Sequence, residues 1–422
     1  MNRRYKPRSR HPVQAFTAGA VAVLVGYASS VAIVWQALQA LSASVSQAAL
    51  ALAALSAGQG FLSLYLSYKS KTPLLFAWST PGAALLISAG VNDFSSAMGA
   101  FIFAAALGMA MGLLRGLSWV MRLIPAQLAS ALLAGILLRL AIESVEQGFQ
   151  QSMYLPVASM WVGFFVMRRL WNTGAIFVML LIAIAWSTYF HFHEHAANMT
   201  STLAGMGFEA AKTFGQGQEG ASLDLKQWLW PSFDLTVMLG LGLPLFLVTL
   251  TGQNMAGLAA IKSFGYSSNP DRLLFASSLL SAVAAMFGGH ALNLAAITAA
   301  LCLGPQAGES VGDRWKASAW AGVLYVLIAG FALWVIKALM WLHPVLVLTL
   351  ASIALMSSMT AALQQAYQDK DLGQSLPQTL CLLVVLSGVQ LAGLGSAFWG
   401  LCFGKLAMLL QNPRSQDDVK KA

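Results

Sequence analysis

The sequence predicts an all-α polytopic membrane protein of fourteen segments, folded as two inverted repeats of seven. Three observations predict it. First, the 422 residues are 58% hydrophobic and only 9% charged, where a soluble chain carries about a quarter charged residues. Second, apolar runs of about twenty residues recur from end to end, the length a helix needs to cross hydrocarbon. Third, the two halves share landmarks about 220 residues apart: glycine-rich runs at Gly19 and Gly240, and prolines at Pro125 and Pro344. A β-barrel would instead alternate apolar and polar residues over strands of about ten residues, and no such alternation is found.

The segments fall at about 14–38, 46–66, 73–90, 94–114, 123–143, 154–171, 173–191, 235–262, 271–287, 290–304, 317–341, 343–366, 375–392 and 395–411. The first follows Arg3, Arg4, Lys6, Arg8 and Arg10 but is too long for a signal peptide, so it is read as an uncleaved span. With the N-terminus in the cytoplasm, 20 of the 24 basic residues fall inside, leaving Arg139, Lys212, Lys226 and Lys337 outside. That bias supports the span count and a multi-pass protein of the inner (plasma) membrane with both termini cytoplasmic. It also accounts for the net charge of +9 without any nucleic-acid partner. Seven spans per half is odd, so the halves must be inverted, as in secondary transporters, where paired broken helices mark the site.

Cys302, Cys381 and Cys402 lie in apolar segments without metal-ligand spacing and read as packing residues. His191-Phe192-His193-Glu194-His195 opens a long external connection that also holds the sequon Asn198-Met199-Thr200. It reads as an exposed polar loop rather than a metal centre. No metal or cofactor is expected.

The third and tenth segments are interrupted. In Ser79-Thr80-Pro81-Gly82-Ala83-Ala84, proline disfavours helix before it and opens one after it. A half-helix starting there would present unpaired N–H groups inside the membrane, a favourable place for an anion. In Gly288-Gly289-His290-Ala291-Leu292-Asn293, the glycines break the chain and a second half-helix is expected to start near Ala291 to Asn293. In the eighth span, Gln253 and Asn254 are adjacent amides in apolar surroundings, where an amide without a partner costs about 1–3 kcal/mol. The first span adds Tyr27, Ser29 and Ser30. The expected substrate-binding set is Thr80, Pro81, Gly82, Ala83, Gln253, Asn254, His290, Leu292, Asn293 and Tyr27.

These motifs, with Leu243-Pro244-Leu245-Phe246-Leu247-Val248-Thr249-Leu250-Thr251-Gly252 before Gln253 and Leu294-Ala295-Ala296-Ile297-Thr298 after Asn293, resemble the BenE family of benzoate/proton symporters. The resemblance covers nearly the whole chain. That family is related to the nucleobase–ascorbate and sulfate transporters. The resemblance implies a core domain in residues 1–122 and 233–341, a gate domain in 123–191 and 342–412, an external loop at 192–232 and a cytoplasmic tail at 413–422. It also implies a substrate site between the third and tenth segments. Dimers are common among relatives of this fold, so a homodimer is an expected assembly. One departure is informative. Nucleobase transporters of this fold carry acids in the eighth and tenth segments, whereas the corresponding places here hold Gln253 and the His290–Asn293 stretch. A wall without acids suits a carboxylate substrate.

The expected function is import of an aromatic carboxylate such as benzoate with a proton, without chemical catalysis. Phe76, Trp78, Tyr27 and Phe287 are candidates to line a slot for the ring. His290 is the candidate proton carrier, being the one ionisable residue expected near the site; alternatively the substrate enters protonated. Another organic anion, a nucleobase-like solute, or an uncoupled channel or exchanger are the rival readings.

Overall fold

Apolar sequence of this length must satisfy its backbone internally wherever it meets lipid, and most of the chain does so as helix. The computed structural model describes residues 11–115, 125–171, 174–204, 228–296, 298–368 and 375–411. Among the described residues, six helices are long and apolar enough to cross a membrane unbroken. They are α1 (His11–Ala40), α2 (Val45–Ser70), α4 (Phe94–Leu114), α5 (Ala126–Gln150), α7 (Ala175–Ala204) and α8 (Leu235–Ser263). Between α2 and α4 come strand β1 (Phe76–Trp78) and the short helix α3 (Thr80–Ile87). The shorter α6 (Tyr154–Leu170) precedes α7. After α8 follow α9 (Pro270–Ala285), strand β2 (Leu292–Leu294) and α10 (Ala299–Leu303). Next come α11 (Trp315–Ala329), α12 (Ala332–Trp341), α13 (Pro344–Ala354) and α14 (Met356–Ala366), then α15 (Leu376–Ser387) and α16 (Ser396–Gln411).

Three features depart from the sequence reading. The seventh helix runs on to Ala204, well into the stretch expected to be loop. Residues 205–227 and the tail from 412 lie outside the described residues, as do Arg122, Ile124, Ile297 and Lys370. The tenth segment does not turn helical near Ala291: Leu292–Leu294 is extended and helix begins at Ala299. The cause is the strand partner, since Gly288 turns the chain at φ +87° and delivers it alongside β1. Finally, the eleventh and twelfth spans are bent, by 71° between α11 and α12 and by 46° between α13 and α14. Leu355 marks the second bend, with φ −86° and ψ −4°, outside the usual helical range.

The strands pair antiparallel, with Ala77 opposite Asn293 at the centre. A two-stranded sheet inside a membrane leaves two edges unpaired, and side chains close both. On the β1 edge, α2 carries a buried polar stripe of Gln59, Ser63 and Ser67 at helical spacing. Ser67 Oγ accepts from Leu74 N–H (3.0 Å), Ser63 Oγ from Phe76 N–H (2.9 Å) and Gln59 Oε1 from Trp78 N–H (2.8 Å). On the β2 edge, Ser281 Oγ of α9 accepts from Leu292 N–H (2.8 Å) and Asn254 Oδ1 of α8 from Leu294 N–H (3.1 Å). Polar residues scattered through apolar helices thereby have a common purpose.

The repeat is visible in the packing. α2 crosses α11 and α4 crosses α9 in the two most extensive helix contacts, which exchange under the inverted 7+7 relation. Both crossings use glycine. A Cβ on Gly60 would stand 2.7 Å from the Gly322 carbonyl oxygen, and one on Gly112 2.7 Å from that of Asp271. Small residues let membrane helices approach this closely. Gly60→Ala is therefore expected to lower thermal stability by about 1–3 kcal/mol, read as an earlier unfolding midpoint in detergent; an unchanged midpoint would mean the crossing can spread at no cost.

Candidate functional site

A cavity of about 690 Å³ lies between two groups of elements. One wall comes from α1, α2, the β1–α3 segment, α8, the chain after β2 and Tyr325 of α11; the other comes from α5 and the α13–α14 bend. Among the described residues, no Asp, Glu, Lys, Arg or His lines it. Exposed lining residues Ala256, Ala259, Ala361 and Gln365 mark its mouth toward the C-terminal ends of α8 and α14.

The ten expected site residues divide. Thr80, Pro81 and Gln253 line the cavity. Gly82 and Ala83 are buried in α3 behind them, Gly82 so close to Leu245 that a Cβ would stand 2.8 Å from its Cδ1. Asn254, His290, Leu292 and Asn293 instead border a void of only about 20 Å³ on the far side of the strand pair. Tyr27 does not line the cavity: its hydroxyl meets Ser56 Oγ at 3.1 Å, and its ring stands edge-on to Trp78 at 4.8 Å. Of the expected aromatic wall, only Trp78 is in place. Its indole N–H donates to Ser30 Oγ at 2.8 Å, which fixes the ring. Phe76 is fully buried, and Phe287 is exposed and outside the cavity.

The start of α3 is more satisfied than its sequence suggested. Ser79 caps it, accepting from Gly82 N–H at 2.9 Å, and Pro81 has no N–H. Thr80 N–H is the first-turn donor left without a partner among the described residues.

Behind Gln253 runs a chain of amides whose direction is fixed. A backbone N–H can only donate, so the bond from Leu294 sets Asn254 with its oxygen toward β2. Asn254 Nδ2 then donates to Asn293 Oδ1 at 2.7 Å, and Asn293 Nδ2 to Gln253 Oε1 at 3.4 Å. Gln253 is left with its NH₂ to offer the cavity. Adjacent residues of an α-helix point about 100° apart; here Gln253 serves the cavity and Asn254 the strand from a π-helical turn, Leu250–Asn254. Such turns are frequent at functional sites.

His290 Nε2 lies 2.8 Å from the Ser79 carbonyl oxygen, 2% exposed, with its ring against Phe101. A carbonyl only accepts, so Nε2 carries the proton and holds the residue that caps α3. The histidine-rich stretch expected near the outer surface begins inside α7, where His191 Nε2 meets the Trp341 carbonyl at 3.1 Å. Among the described residues there is no group of three or more potential metal ligands.

The sequence reading missed Gln59, Tyr325 and the α14 wall of Ser357 and Ser358. Gln59 carried the same signal as Gln253, an amide in an apolar span, but in an unbroken helix. Nothing distinguished Tyr325 from the other aromatic residues of the spans.

Known proteins resemble this one in architecture and, separately, in sequence. The transmembrane domain of a cyanobacterium bicarbonate transporter, BicA, superposes with a TM-score of 0.59 at 16% identity, covering 94% of this chain and 98% of that one. The overall structure of SLC26A9 gives 0.58 at 10% identity, covering 94% and 65%. At these identities the likeness concerns the fold alone. In sequence, "Inner membrane protein YdcO" of Escherichia coli (strain K12) is 34% identical over 404 residues, 95% of this chain and 96% of that protein. A "Benzoate membrane transport protein" of Acinetobacter baylyi is 31% identical over 407 residues, 96% of each. With the family model for "Benzoate membrane transport protein" matching residues 9–410, the chain belongs to the BenE family.

Proposed function

We propose that the protein imports an aromatic carboxylate of the benzoate type together with a proton, with a core (α1–α4 and α8–α12) moving against a gate (α5–α7 and α13–α16). The observation that carries this reading is the polarity of the cavity wall. It holds no acid among the described residues, and its fixed amide chain ends on a donor at Gln253. Thr80 N–H stands at the start of α3, where the helix dipole favours negative charge. A carboxylate satisfies such donors, whereas a nucleobase would bring N–H groups of its own. Trp78 supplies a flat apolar face for the ring. The volume is ordinary for a small-molecule site, about 300–1,000 Å³. The relative from Acinetobacter baylyi is itself named for benzoate.

In this reading the chain sits in the inner membrane with both termini in the cytoplasm. The mouth, at the C-terminal ends of α8 and α14, then opens inward. The proton has two available carriers, His290 and the bound carboxylate, whose burial on closure favours the neutral acid. We favour the second, because His290 borders the small void and its N–H is held by Ser79. His290→Gln keeps a donor for the Ser79 carbonyl and removes the titratable ring. Uptake by this variant is expected to retain its response to a proton gradient; a lost response would put the proton on His290.

The reading is tested by labelled benzoate uptake into proteoliposomes, with and without an imposed inward proton gradient. Saturable uptake, driven by the gradient and competed by aromatic carboxylates but not by uracil, is expected. Flux indifferent to the gradient would indicate a channel or exchanger, and competition by uracil alone would indicate a nucleobase carrier.

A further inference from the structure

We infer that Gln59 is a second carboxylate-binding residue, whose amide NH₂ selects for an anionic substrate from the α2 side of the cavity. This rests on the carboxylate reading above.

Gln59 lies in the middle of α2, is 1% exposed and lines the cavity. Its Oε1 accepts from the Trp78 backbone N–H at 2.8 Å. That donor cannot reverse, so the amide has one orientation and its Nε2 points away from the strand. No described residue accepts from Nε2. A nearly buried NH₂ without a protein partner, at the wall of a cavity, is satisfied by what the cavity holds.

Closing the strand edge does not by itself call for an amide. Ser63 and Ser67 close the same edge for Phe76 and Leu74 with hydroxyls, and Ser281 does so for Leu292 in the other half. Glutamine at position 59 adds two N–H donors to that shared task. Gln59 and Gln253 thus repeat one device from different helices: an oxygen tied back to a strand N–H, directly or through other amides, and an NH₂ left for the ligand. Neutral donors on two walls can hold a carboxylate without a fixed cation and let it go again.

The test is Gln59→Glu, assayed at about pH 9, since burial raises a carboxyl above its ordinary range. The substitution keeps an oxygen for Trp78 N–H and replaces the donor by an acceptor. Provided the wild type takes up benzoate, the KM for benzoate is expected to rise by about a hundredfold or more, since a hydrogen bond to a charged group is lost and a like charge added. The unfolding midpoint should stay at the wild-type value. Benzamide, whose NH₂ can donate, should become the better competitor. Gln59→Ser, which removes the amide and leaves a shorter hydroxyl, should raise the benzoate KM by about ten- to a hundredfold. An unchanged KM in either folded variant overturns the inference, as does equal loss of benzoate and benzamide with a lowered midpoint in both. A wild type that takes up no benzoate would instead overturn the carboxylate reading.

Discussion

Gln253→Glu is expected to abolish benzoate uptake while leaving the protein folded and inserted. The substituted side chain still offers an oxygen to Asn293 Nδ2, so the amide chain behind it is undisturbed. The change falls on the atom facing the cavity. There a donor becomes an ionised acceptor, and two like charges about 4 Å apart repel by about 4 kcal/mol at an effective dielectric near 20. Affinity should fall by about a thousandfold. Uptake in proteoliposomes, normalised to inserted protein, measures this. Gln253→Ala should also lose uptake, but less steeply, because it removes attraction without adding repulsion. Normal uptake by both variants would take Gln253 out of the site.

Asn254 carries the second large effect, through two substitutions that fail differently. Asn254→Ala leaves the Leu294 N–H without its acceptor and removes the partner of Asn293. A buried donor left unsatisfied costs about 1–3 kcal/mol, and this one closes a sheet edge. A lowered unfolding midpoint is expected, with uptake lost as well. Asn254→Asp still accepts from Leu294; burial favours its neutral acid, whose O–H can still donate to Asn293, and only on ionising at high pH does it lose that donor. Asn293 must then turn its NH₂ toward the new carboxylate, and Gln253 must donate to Asn293 and show its oxygen to the cavity. The predicted outcome is a protein whose benzoate uptake, relative to the wild type, falls as the buried acid ionises with rising pH, while benzamide becomes the better competitor. Benzoate uptake retained at high pH would show that the amide chain does not set the polarity of the wall. Asn293→Ala, which cuts the chain one link later, should likewise lose transport without losing insertion.

Much of the fold was legible because membrane burial writes it into the chain. Length and apolarity located the spans, and the distribution of basic residues indicated the odd repeat. Ser79-Thr80-Pro81-Gly82 and Gly288-Gly289 lie beside the extended stretches Phe76–Trp78 and Leu292–Leu294, since proline and glycine act locally. What followed Gly288-Gly289 was less legible. Leu292–Leu294 is extended because a strand more than 200 residues away pairs with it, and no local propensity records that. The same holds for the site. Gln253 and Asn254 look alike in sequence, yet one meets the cavity and the other a backbone N–H, a division made by a π-helical turn. His290 stood out as a titratable group in apolar sequence, but its neighbour is a carbonyl rather than the cavity. Gln59 was hidden for the opposite reason: an unbroken helix gave no reason to look there.

In the proposed mode of binding, a carboxylate is held in the acid-free cavity by donors whose direction the strand pair fixes. A structure of the protein with 4-bromobenzoate bound, its ring located by the anomalous signal of bromine, tests this most directly. The carboxylate is expected within hydrogen-bond distance of Gln253 Nε2, close to the start of α3, with the ring against Trp78. Bromine against the amide wall with the carboxylate directed to the mouth, or the ligand bound outside this cavity, would contradict it.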